Sequence, residues 1–98
     1  QIDGSIEEVN SAAPIDKKFE AFGWHTIVID GHDFDQIEAA VNEAKTVDKP
    51  VCIIANTVKG KGVFYMENQV GWHGSAPNDE LAAKALEELD AQLNELMA

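Results

Sequence analysis

Two apolar runs rich in β-branched residues, 24–29 and 51–58, flank a stretch whose apolar residues recur at helical spacing. No other feature restricts the fold so much. Two strands separated by a helix of about a dozen residues cannot close as a tight hairpin, so they pair in parallel as a βαβ unit with a right-handed crossover. Between them, Asp30, Gly31, His32 and Asp33 turn the chain. Asp33 caps the helix, and Gln36, three residues on, occupies the position of a capping-box partner. Phe34, Ile37, Val41 and Ala44 mark its expected buried face. Loose alternation in the first run predicts a strand buried on both faces.

The flanks read as follows. Residues 1–13 are polar and predict a loop, with a single helical turn around 5–10. Pro14 suits a first helical position, and Ile15, Phe19 and Phe22 give a short helix one apolar face that stops at Gly23. Phe19, Phe22 and Trp24 read as core. Residues 63–77 are long, irregular and aromatic, and loops of that length are usually functional. A last helix begins near Asn78, with Asp79 and Glu80 in its first turn and a stripe of Leu81, Ala85, Leu86, Leu89, Leu93 and Leu96. That stripe is a packing face, with a coiled-coil or partner-binding reading kept open. The expected map is one piece, 1–98, comprising a loop (1–13), an α-βαβ segment (14–62), an active-site loop (63–77) and a helix (78–98).

Ninety-eight residues make one domain at most, with a marginal core unless other chain covers it. A net charge of −11 argues against binding nucleic acid or an anionic membrane surface, leaving proteins and small molecules as partners. No apolar run approaches membrane-spanning length, and the first residues do not resemble a signal peptide. The start without methionine suggests that further sequence precedes it. All seven basic residues are lysine, so no guanidinium fork is available to grip a carboxylate or phosphate. Cys52 is the only cysteine and lies in an apolar run, where it reads as a small hydrophobe; the lack of a disulfide framework suits the cytoplasm.

The chemistry concentrates after the second strand. Thr57, Val58, Lys59, Gly60, Lys61 and Gly62 lead from strand to glycine turn, at the end of a parallel strand where ligands gather. Glycine lets backbone approach a ligand and lysine adds positive charge, which together suit a phosphate-holding corner. His73, between Trp72 and Gly74, adds a titratable group. The plainer alternatives are solvated turn lysines at 59 and 61 and a loop-bonded imidazole at 73. His25 and His32 read as local hydrogen-bonding groups, and Glu67 and Asn68 have no evident partner.

These residues also carry a resemblance. Phe19, Glu20, Ala21, Phe22, Gly23, Trp24 and His25, then Asp30 to Asp33, Lys49, Pro50 and Val51, then 57–62 and 71–74, stand in order and at family spacing. Together they resemble the C-terminal part of the N-terminal, thiamine diphosphate-binding domain of transketolases, especially the split, two-subunit kind. The resemblance implies a partial three-layer α/β fold around a parallel βαβ unit, with flanking helices and a long C-terminal helix. It implies transfer of a two-carbon ketol unit from a ketose phosphate to an aldose phosphate, with thiamine diphosphate and magnesium as cofactors. His73 matches a residue beside the cofactor diphosphate and the reacting end of the donor. Ile2 matches an apolar residue near the thiazolium ring, and Lys59, Gly60 and Gly62 match the turn that approaches the cofactor. Many transketolases carry an aliphatic residue at the position of Lys59. The family's metal-binding motif has no counterpart among these residues, so the metal ligands are expected upstream of Gln1, and this chain alone is expected to be inactive. Implied partners are the rest of the N-terminal domain, the C-terminal subunit or domains, and sugar phosphates. A 1-deoxyxylulose-5-phosphate synthase-like section and a non-catalytic interaction module are the alternative readings.

Overall fold

The computed structural model describes residues 1–98. In chain order it contains helix α1 (Ile6–Asn10), helix α2 (Ile15–Ala21), strand β1 (His25–Asp30), helix α3 (Phe34–Ala44), strand β2 (Val51–Asn56), a 3-10 turn (Val70–Trp72) and helix α4 (Asp79–Met97). These fall into two compact units, one of Ile6–Thr57 and one of Gln1–Ser5 with Val58–Ala98.

In the first unit β1 and β2 pair in parallel, His25 opposite Val51 through Asp30 opposite Asn56, as the βαβ pattern requires. The ladder continues at both ends, with His25 N–H donating to Pro50 O (2.9 Å) and Gly31 N–H to Asn56 O (2.7 Å). β2 stops two residues short of the expected Val58. Gly31 is required by space: a Cβ there would lie 2.7 Å from Thr57 Cγ2 and 3.1 Å from Asn56 O.

Pro14 is the N-cap of α2 rather than its first helical residue. The helix ends in a Schellman arrangement. Gly23, at φ +86°, donates to Glu20 O (2.9 Å), and Trp24 N–H donates to Phe19 O (3.1 Å). The hydrophobic contact that accompanies this motif is the edge-to-face pair Phe19–Trp24, centroids 5.2 Å apart. Phe22, expected in the core, is 85% exposed, because the chain leaves the helix at that residue and turns its side chain outward.

At α3, Asp33 accepts from the N–H groups of Asp35 (2.9 Å) and Gln36 (3.1 Å). Gln36 Nε2 returns a bond to Asp33 Oδ2 (3.0 Å), while its Oε1 accepts from Asp30 N–H, so it braces the whole turn. The buried face is Ile37, Ala40 and Ala44, since Phe34 and Val41 are exposed. The sheet beneath has two strands, so it covers only the middle of a helical stripe that could face a wider one. For the same reason β1 buries Ile29 while Val28, on the opposite face, is 54% exposed, and burial on both faces is not reached. Val28 and Ile54 instead line an open groove of about 410 Å³ with Ile6, Pro14 and Ile15. His25 Nε2 meets Glu43 Oε1 at 2.8 Å, joining β1 to α3.

In the second unit, Asn78 Oδ1 accepts from Leu81 N–H and caps α4. Ala85 is its buried residue. Leu86, Leu89, Leu93 and Leu96 are exposed along the remaining stripe. No helix is long and apolar enough to cross a membrane.

Candidate functional site

The 58–73 segment is a series of turns rather than an open loop. Lys61 N–H donates to Val58 O (3.2 Å), Val63 N–H to Gly60 O (3.2 Å) and Asn68 N–H to Lys59 O (2.9 Å). The last of these folds the 66–68 stretch back over the glycine turn. At Gly60, with φ +73°, a Cβ would lie 2.5 Å from Met66 O, so both conformation and contact exclude a side chain. Asn68 takes φ +57°, a region that asparagine tolerates better than most residues.

One consequence bears directly on anion binding. The Lys61 and Val63 amides are spent on turn carbonyls, and Gly62 N–H donates to Glu67 Oε1 (3.1 Å). Three successive N–H groups therefore point into the loop, and positive charge toward a ligand comes from side chains. Lys59 Nζ lies 3.4 Å from His73 Nδ1. Ammonium can only donate, so Nδ1 accepts, and in the neutral ring the proton sits on Nε2, which is left as a donor. Within 58–77 the charged residues are Lys59, Lys61 and Glu67, and Glu67 is engaged by Gly62. Glu88 of α4 also reaches this segment, at Phe64 N–H, so the positive charge beside His73 is that of Lys59.

His73 is held by its neighbours. Its N–H donates to Val70 O (3.0 Å) in the 3-10 turn. Trp72 Nε1 donates to Tyr65 O (3.1 Å), the two rings stand 5.4 Å apart, and the Tyr65 hydroxyl donates to Leu81 O at the start of α4 (2.7 Å). Two further bonds tie the loop to that helix: Phe64 N–H to Glu88 Oε2 (3.1 Å) and Gln92 Nε2 to Gly62 O (2.9 Å).

The residues singled out in the sequence thus divide. Lys59 and His73 come together, and Gly60 and Gly62 shape the turn beneath them. Ile2 belongs to the same compact unit and is 63% exposed. Lys61 is exposed. The groove lined by Val28 and Ile54 belongs to the other unit and contains none of them. Glu67, Gln92 and Tyr65 were not legible as supports, because their partners lie five, thirty and sixteen residues away with no periodic signal linking them. No group of three or more His, Cys, Asp or Glu side chains is placed to hold a metal ion.

Residues 1–95 match the family model for the thiamine diphosphate-binding domain of transketolase. The chain belongs to this family. It is 41% identical over 93 residues to the 6-deoxy-6-sulfo-D-fructose transketolase subunit SqwG of Clostridium sp. (strain MSTE9), covering 94% of this chain and 34% of that one. It is 39% identical to mouse transketolase over 77 residues, 79% of this chain and 12% of that one. The crystal structure of Campylobacter jejuni transketolase superposes with a TM-score of 0.80 at 32% identity, covering 92% of this chain and 14% of that one. The transketolase-domain chain thus spans about a third of its split-subunit relative and about an eighth of the single-chain enzyme.

Proposed function

We propose that this chain forms the His73 side of a thiamine diphosphate site in a transketolase that moves a two-carbon ketol unit from a ketose phosphate to an aldose phosphate. The observation carrying this reading is the 3.4 Å approach of Lys59 to His73 on a loop whose own amides are turned inward. A cation beside an imidazole N–H donor suits the diphosphate of that cofactor. When bound, the cofactor supplies the electron sink for breaking and making the carbon–carbon bond.

The protein's part is orientation and proton handling. Lys59 would offset diphosphate charge, and the Nε2–H of His73 would hydrogen-bond the diphosphate or a donor hydroxyl and exchange a proton there. Gly60 and Gly62 would shape the turn facing the thiazolium side of the cofactor, and Ile2 would supply an apolar contact to that ring. Since no cluster of metal-ligating side chains is present here, a magnesium ion would be held by other residues. The rest of the N-terminal domain and a C-terminal subunit or domains would complete the site, a reading supported by the Clostridium relative, itself a transketolase subunit. The proposed location is the cytoplasm, in keeping with a single free cysteine.

In the assembled enzyme, His73→Ala is expected to lower kcat by about 10²-fold or more while leaving the thermal midpoint nearly unchanged. Unaltered kcat would refute the role. The isolated 98-residue chain, given thiamine diphosphate and magnesium, is expected to show no ketol transfer in a coupled assay.

A further inference from the structure

Gly62 is gripped at both of its peptide groups by side chains: Glu67 Oε1 accepts from its N–H at 3.1 Å, and Gln92 Nε2 donates to its carbonyl at 2.9 Å. Neither residue is part of the Lys59–His73 pair, and neither bond belongs to a helix or strand. Glu67 is half-buried, and its backbone crosses over the turn where Met66 O would clash with any side chain at Gly60. The same crossing carries the bond from Asn68 N–H to Lys59 O, so the carboxylate closes a ring of contacts whose opposite side is the residue bearing the ammonium. Gln92 reaches the turn from α4 with Glu88, one helical turn earlier, on Phe64 N–H. The glycine turn is thus fixed by side chains on two sides rather than by its own sequence.

We propose that Glu67 and Gln92 are positioning residues: they clamp the Gly62 peptide groups so that Lys59 is presented to His73, and thiamine diphosphate affinity depends on this clamp. The inference rests on the functional reading above. A carboxylate so near an anionic ligand would otherwise oppose it, and the Gly62 bond gives that carboxylate a partner inside the loop. Loss of the acceptor frees the turn and spreads the Lys59 ammonium over many positions, which weakens binding of the anion more than it changes the reaction of the bound complex.

The test uses the assembled enzyme with Glu67→Ala and Glu67→Gln, the latter keeping a side-chain oxygen acceptor. Glu67→Ala should raise the KM for thiamine diphosphate about tenfold, with kcat at saturating cofactor within about twofold; Glu67→Gln should restore KM to within about twofold of the parent. Hydrogen–deuterium exchange of the cofactor-free protein gives a readout independent of catalysis. The peptide holding Gly62 should exchange faster in Glu67→Ala and at the parental rate in Glu67→Gln. Unchanged exchange and KM in the alanine variant, or equal impairment of both variants, overturns the clamp. If His73→Ala retains full kcat while the exchange pattern holds, the functional reading fails and the clamp as a structural device stands.

Discussion

Asp33 ties one side chain to both a helix start and a pH response. Its bonds from Gln36, backbone first and then side chain, hold its carboxyl below the ordinary aspartate range, with the Asp35 N–H adding to them. A depressed folded value means that this stabilisation is complete above the unfolded pKa and is lost as pH falls through the folded one. Acid titration of α3 helicity by circular dichroism should show this loss. Asp33→Asn, a comparable cap without the charge, should flatten that part of the profile while keeping helicity at neutral pH. The cap was legible because donor and acceptor lie within three residues. The Gly62 clamp was not, since a glycine signals permissive backbone without saying what holds it. Gly60→Ala should cost about 2–4 kcal/mol in urea unfolding of the assembled protein, from a positive φ and a 2.5 Å approach to Met66 O acting together.

At the scale of elements, periodicity found α2, α3, α4 and both strands, while neighbours decided which side of each is covered. Phe34 and Val41 share the apolar stripe of α3 with Ile37, but the two-stranded sheet reaches only Ile37, Ala40 and Ala44. A pattern in one helix carries no count of the strands beneath it. The β1–α3 connection is a different case, where space rather than pattern governs. Gly31→Ala would set a Cβ 2.7 Å from Thr57 Cγ2 and 3.0 Å from Ala55 Cβ, beside the bond from Gly31 N–H to the last residue of β2. The methyl of Thr57 can rotate away, whereas Asn56 O, at 3.1 Å, is backbone and cannot. A loss of about 1–3 kcal/mol is expected in chemical denaturation, and the double variant Gly31→Ala, Thr57→Ser should recover only part of it.

For the chain as a whole, the decisive quantity is how little it encloses. Its buried apolar residues are Ile29, Ala40 and Ala85, two small side chains and one large, while Val28, Phe22, Phe34, Leu93 and Leu96 are exposed. Ordering a residue costs about 1–2 kcal/mol of backbone entropy, and so small an interior offsets little of it. The net charge of −11 adds self-repulsion in the same direction. Studied as these 98 residues alone, the polypeptide should therefore bind a hydrophobic dye and melt over a broad range. Adding salt to about 0.15 M, where the screening length falls to about 8 Å, should raise its helicity and narrow the melt. The effect should be equal for sodium and potassium chloride, because screening depends on ionic strength and not on a specific site. A sharp, salt-independent transition without dye binding would show instead that local bonds such as the Asp33 cap, the Schellman end of α2 and the loop-to-α4 ties carry the fold without a covering partner.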